Sequence, residues 1–348
     1  MTGDPGNAFD TELQSRRASW SRYWSSGVLH SCPGSFRDNY DGALAQFWHA
    51  QFAALKPGQR VLDVATGNGA LPRLLLGVDG GADCGCTIDA IDLATLAPAW
   101  LDRLDADRRA RLHLHPGVLA EQLPFEDACF DLVISQYGIE YAELAVALAQ
   151  VRRVLGPGGR LRLLMHHRAS VPVEKGDIEA RLIETLFADD GLFAAAGRML
   201  PWIAMSGTAT GRVQLQGNAA ANRDRATFNA CQQALDRTAG QLGADAAVLG
   251  EARAQVQQLL ALVQARGLEV AGAGLSALRE YYAEQGLRAR DLVHCAHDES
   301  RMQALLETLG ALGFATASAR PIHYQAHLMG WAVSADLPPA IENSSSRS

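Results

Sequence analysis

Lysine is almost missing from this chain; it stands only at Lys56 and Lys175. Arginine supplies the rest of the positive charge and forms no cluster. The 31 Lys+Arg are outnumbered by 38 Asp+Glu, for a formal net charge of −7. A partner made of phosphate backbone calls for a basic surface, so no nucleic acid is expected. Long apolar runs are also missing, and nothing approaches the roughly 18 residues of a membrane span. Met1 to Gln14 carries Asp4, Asp10 and Glu12 and no apolar stretch, which is unlike a secretory signal. Cysteine is sparse at six residues, read as reduced thiols of a cytoplasmic protein. Cys84-x-Cys86 has no second pair at zinc spacing, so no metal is expected.

What is present is ordinary globular composition, 48% apolar and 20% charged. A length of 348 residues predicts about two domains or one enlarged one. The start is aromatic. Trp20, Tyr23 and Trp24, then Phe47, Trp48 and Phe52, recur at helical spacing, with a turn at Cys32-Pro-Gly-Ser35 between them. This segment, 1–57, reads as a helical lid.

From residue 58 strands and helices alternate. Arg60 to Ala65, Thr87 to Asp92, Arg111 to His115, Asp131 to Ser135 and Arg160 to His166 read as strands. Helices are expected after Gly69, over Ala94 to Leu104, and over Glu143 to Leu155. Such alternation implies an α/β fold with a mostly parallel sheet covered on both faces. Over 169–298 the alternation stops. Ile178, Leu182, Ile183 and Leu186 make one apolar stripe; Phe228, Cys231, Leu235 and Leu242 make another; Leu249, Ala252, Val256, Leu259 and Val263 make a third. One-sided stripes must be buried, so a helical insertion is expected, serving as a cap or a dimerisation surface. The pattern returns over 299–335: a helix stopped by Gly313, then two strands forming a hairpin around Arg320-Pro-Ile. The tail 336–348 has little to bury and is expected to be disordered.

The chemistry gathers at Val61-Leu-Asp-Val-Ala-Thr-Gly-Asn-Gly69. Gly67 and Gly69 permit positive φ and let a ligand approach the backbone. Asp92, at the end of the second strand, can accept the hydroxyls of a ribose. A dinucleotide loop would carry a third glycine where Pro72 stands. Asp63 close by repels a pyrophosphate and suits a ligand bearing an ammonium and a sulfonium.

On these residues the chain resembles the class I S-adenosylmethionine-dependent methyltransferases, over about 58–168 and again about 299–334. Asp63-Val-Ala-Thr-Gly-Asn-Gly69 is similar to the family's glycine-rich loop, with Ala65 for its first glycine. Leu123-Pro-Phe and the strand ending at Ser135 match the fourth-strand segment. Leu155-Gly-Pro-Gly-Gly-Arg-Leu161 matches the turn into the fifth strand. The resemblance implies a Rossmann-like seven-stranded sheet with its last strand antiparallel, and S-adenosyl-L-methionine as cofactor. It implies cofactor contacts at Asp63, Ala65, Thr66, Gly67, Asn68, Gly69, Asp92, Leu93, Leu119, Ala120, Ser135 and Gln136, with Tyr40 or Trp24 on a leading helix closing over the donor. The family's usual acid near the adenine is replaced by Leu119; Glu121 is the nearest carboxylate.

An acceptor pocket then lies over strands four and five. His166 or His167 is the expected general base, only one of them facing the cleft, since strand neighbours alternate. Glu140 can hold an amine or act as base, and Tyr137 or Tyr141 can wall the site. His30 and Arg37 are polar residues within reach. The expected activity is methyl transfer to a small-molecule acceptor. A non-catalytic partner subunit of this fold, or a nicotinamide oxidoreductase, is the alternative.

Overall fold

The computed structural model describes residues 5–31, 36, 38–80, 83–96 and 98–340, the first six of them as backbone only. The Cys32–Ser35 turn, Arg37 and the tail from Ile341 lie outside the described residues.

Two compact units divide the chain: 1–173 with 294–348, and 174–293. The first is built on a seven-stranded sheet in the order β3-β2-β1-β4-β5-β7-β6. The strands are β1 (Arg60–Val64), β2 (Thr87–Asp92), β3 (Leu112–Pro116), β4 (Phe130–Gln136), β5 (Leu155–Met165), β6 (Thr316–Tyr324) and β7 (His327–Asp336). The first five are parallel; β7 runs antiparallel between β5 and β6. Helices α1 (Pro5–Ser25), α2 (Gly42–Phe52), α3 (Ala70–Leu75), α4 (Ala106–Ala110) and α5 (Leu144–Val154) belong to this unit.

The central strands are apolar on both faces, as strands between two layers must be. Val61, Ile88, Leu132 and Ile134 pack with Leu44, Phe47 and Trp48 of α2. Leu62, Val64, Val133 and Leu163 pack with Leu148 and Val151 of α5 on the other side.

The expected helix over Ala94 to Leu104 is absent. A 3₁₀ turn at Ala99–Arg103 precedes α4, whose cap Asp105 accepts the Arg108 N–H at 2.8 Å. Pro98 breaks the run there, since it has no amide hydrogen to give. The terminal hairpin turns at Gln325-Ala326, and Pro321 lies within β6. An edge strand tolerates that proline. Leu337 is buried and donates its N–H to Gly159 at 2.9 Å, so order persists just past β7.

The second unit is helical. It takes in most of α6 (Val171–Leu186) and of α11 (Leu268–Cys295), with α7 (Leu192–Ser206), α8 (Ala209–Leu215), α9 (Ala219–Leu242) and α10 (Ala247–Arg266) between them. Leu182, Ile183, Leu186, Leu235, Leu249, Ala252 and Val256 meet in its core. Leu242 is exposed instead, at the last residue of α9. The stripes miss α7, whose Leu192, Phe193, Ala195, Ala196 and Leu200 are buried around much of its circumference. A helix surrounded by others shows no clear one-sided period. The chain then returns to the sheet through α12 (Glu299–Ala311). No described helix is long and apolar enough to cross a membrane.

Candidate functional site

The glycine loop sits at the carboxyl end of β1. Ala65 and Gly67 both have positive φ, 57° and 55°. A Cβ at Gly67 would stand 2.6 Å from the Trp24 ring, and one at Gly69 2.8 Å from the Trp100 ring. Glycine is therefore demanded twice, by conformation and by the indoles lying on the loop.

Asp63 is almost fully buried. Its Oδ2 accepts the Thr66 hydroxyl at 2.6 Å, while Oδ1 has no partner. Burial pushes this carboxyl up to about 8, the Thr66 bond opposing and nearby Asp92 adding to the rise. Asp92 is buried too and is pushed up to about 6 by desolvation, against the bonds it accepts from Ala94 and Gly67, both at 2.8 Å. A dry carboxylate with an open lone pair calls for a cation or a donor. Asn68 repeats the theme: its side-chain N–H groups hold Trp24 O at 2.8 Å and Val28 O at 2.6 Å, and its Oδ1 is unpartnered. Leu93, Leu119 and Ala120 lie half-buried along the ends of β2 and β3.

The leading segment reaches this loop through α1. Ser21 Oγ accepts the Thr95 N–H at 2.9 Å, and Trp20 stacks on Trp24 with its edge toward Tyr141. Of Trp24 and Tyr40, Trp24 is the one that lies on the loop. Tyr40 stacks on His30 at 4.7 Å and meets Phe36 edge-on, while His30 lies 3.1 Å from Asp38 O. Glu121 Oε1 accepts the Glu143 N–H at 2.7 Å and so braces the start of α5.

At the end of β4, Ser135 Oγ donates to Val64 O at 2.7 Å and accepts the Ile139 N–H at 3.1 Å. Gln136 accepts the Trp48 indole N–H, and its own amide nitrogen has no partner. Tyr137 has φ 54°, an uncommon conformation for an aromatic residue. Its hydroxyl donates to Met329 O at 3.1 Å and its ring stacks on His166 at 4.4 Å.

The two histidines face opposite sides of the sheet. His166 lies with Tyr137 and Glu140. Glu140 Oε1 accepts both the His166 Nδ1–H at 2.8 Å and the His166 backbone N–H at 2.9 Å. Burial works to raise this carboxyl, and the bond and charge of His166 overcome it, leaving Glu140 below its usual range. Glu140 is thus a buried anchor for His166, and its Oε2 is unpartnered. With Nδ1–H given to Glu140, the neutral ring keeps its lone pair on Nε2. His167 instead stacks on Trp331 at 4.4 Å, and its Nδ1 accepts the Ala169 N–H at 3.0 Å. Burial holds it below the usual histidine range.

Three neighbours escape the sequence reading. Trp100 covers Gly69 and donates to Asn68 O at 2.7 Å. His297 and Trp331 brace the end of β5, as described below. A tryptophan in a turn and a histidine before a helix cap carry no periodic signal; only their spacing after Asp92 and before β6 could have flagged them.

This strand order, with an antiparallel β7 and a glycine loop after β1, is that of the class I methyltransferase fold, and the open carboxylate and the glycine cradle fit S-adenosylmethionine. Residues 62–163 match the family model described as a methyltransferase domain. Among curated proteins, the ubiquinone/menaquinone biosynthesis C-methyltransferase UbiE of Cupriavidus metallidurans is 30% identical over 168 residues, 43% of this chain and 63% of that protein. The protein of the same name from Xylella fastidiosa is 38% identical over 122 residues, 34% of this chain and 47% of that one. The chain thus spans under two thirds of these relatives. A solved geranyl diphosphate C-methyltransferase from Streptomyces coelicolor aligns with TM-score 0.35 and 14% identity over 48% of this chain and 66% of that one.

Proposed function

We propose that this protein moves a methyl group from S-adenosylmethionine to a small-molecule acceptor, with His166 taking the acceptor's proton. The buried Glu140–His166 pair carries the reading. The cofactor supplies a methyl group already activated on a sulfonium, so the chain's task is to orient, to exclude water and to handle a proton. Asp63, with Ala65, Thr66, Gly67, Asn68 and Gly69, would hold the amino-acid end of the donor. Asp92 and Leu93 would take the ribose, Leu119 and Ala120 the adenine, and Ser135 and Gln136 the floor, with Trp24 closing above and Tyr40 supporting from the second aromatic cluster. The donor would supply an electrophilic methyl group with a neutral thioether as its leaving group, and His166 Nε2 would take the proton the acceptor gives up. Ionised Glu140 stabilises the imidazolium that results, and Tyr137 keeps the ring in plane.

The relatives' C-methyltransferase name supports carbon as the methylated atom. The net charge of −7 supports a small acceptor over nucleic acid. The free thiols Cys84, Cys86, Cys129 and Cys231 support a cytoplasmic setting. The helical unit exposes Val213, Val270 and Tyr281, which supports pairing of two copies through it; a monomeric mass by light scattering would overturn that part. The test of the whole reading is calorimetric titration with S-adenosylmethionine. Saturable binding is expected, and none at millimolar donor would leave a non-catalytic subunit as the better account.

A further inference from the structure

His166 lies one residue beyond the last regular pair of β5 with β7, Met165 with Trp331. The sheet ladder therefore does not hold it. Two other groups do. Its N–H is taken by Glu140 Oε1, and its carbonyl accepts the His297 N–H at 2.9 Å. His297 belongs to the short stretch where the chain rejoins the sheet, and it pairs in parallel with His167. That stretch is itself fixed. The His297 carbonyl accepts the Arg168 N–H and the Trp331 indole N–H, each at 2.9 Å. The His297 ring is buried, and its Nδ1–H donates to Cys295 O at 2.9 Å, closing a tight turn.

We infer that His297 and Trp331 are positioning residues: together they clamp the main chain of the base, so that the His166 imidazole meets Glu140 in one orientation. The inference rests on His166 being the base. The effect of His297 and Trp331 passes through one carbonyl, which suits a site where the reacting ring lies past the end of its strand. The charged and titratable groups around His297 are Glu140, Arg301 and Asp298. None of them replaces the bonds from its main chain.

The readout is the His166 Nδ1 proton, observed by NMR in the full-length protein and assigned by its loss in His166→Ala. Held on buried Glu140, it is expected to exchange slowly with water. His297→Ala removes the bond to Cys295 O and is expected to speed that exchange by about tenfold or more, the scale of one lost buried hydrogen bond. His297→Asn restores a donor at that place and is expected to recover slow exchange. Trp331 replaced by benzothienylalanine, which has the indole's shape without its N–H, is expected to behave like His297→Ala and keeps the fold testable if a larger change does not. Exchange unchanged in both His297→Ala and the benzothienyl protein, with S-adenosylhomocysteine still bound, would overturn the inference. Absence of donor binding in the wild-type protein would overturn the methyltransferase reading instead.

Discussion

At the scale of single residues, the site runs on carboxylates kept dry. Asp63 is protonated in the free protein up to about 8. An ammonium ligand requires the ionised form, so donor binding should release a proton, and affinity should rise from pH 6 to pH 8. Calorimetry in two buffers of different ionisation heat measures that release; equal heats would refute it. The same shift has a cost in stability. The unfolded chain loses this proton near the usual aspartate value, about 3.9, whereas the folded one keeps it to about 8. Between those values the folded state binds more protons, so stability falls as pH rises. Asp63→Asn keeps an acceptor for Thr66 and should raise ligand-free stability at pH 8 by about 1–3 kcal/mol while abolishing donor binding. Urea unfolding paired with titration checks both. Asp92→Ala should weaken donor binding by about 1.5–3 kcal/mol, the worth of hydrogen bonds to a charged group. His166→Ala should lower turnover by about 10²–10⁴-fold with donor affinity kept, while His167→Ala should leave turnover near normal.

At the scale of elements, the loops after β1 and β4 are packed against each other. A Cβ at Gly138 would stand 2.5 Å from Ala65 Cβ and 3.1 Å from Ala65 O. Neither neighbour is a flexible side-chain end, so Gly138→Ala should cost about 1–3 kcal/mol, read as a lower urea midpoint. Ala65 in place of the resembled family's glycine follows from the same contact. A small residue is enough there, although its positive φ is strained. Strands β1, β2 and β4 are legible because each is a short apolar run, whereas β5 begins at Leu155 and takes in the Gly156-Pro-Gly-Gly159 that reads as a turn, five residues before the expected Arg160. After Asp92 the leucines keep a helical spacing, but Pro98 has no amide hydrogen to give, and only a 3₁₀ turn forms. The hairpin was misplaced because Pro321 looks like a turn residue unless one knows that β6 is an edge.

At the scale of the whole molecule, the two compact units have separate apolar cores. The sheet unit's two clusters draw on no residue of 174–293, and the helical unit's cluster draws on nothing outside it. A unit with its own core carries in itself the burial that independent folding requires. Replacing 174–293 by a flexible linker should therefore leave cooperative unfolding and S-adenosylhomocysteine binding. Loss of donor binding in a folded product would mean that the helical unit contributes to the donor site.

The sequence by itself determined the glycine loop, the paired acids Asp63 and Asp92, the α/β class and the break in the alternation. Those are local patterns, in which backbone conformation and apolar period are written residue by residue. It also offered the adjacent His166 and His167, with Glu140, as candidate bases. Only the tertiary structure decided which histidine pairs with Glu140. The choice depends on which face of β5 meets Glu140, twenty-six residues earlier in the chain. The clamp at His297 joins positions still farther apart. Such contacts are made by the sheet's strand order and register, and no local period records them.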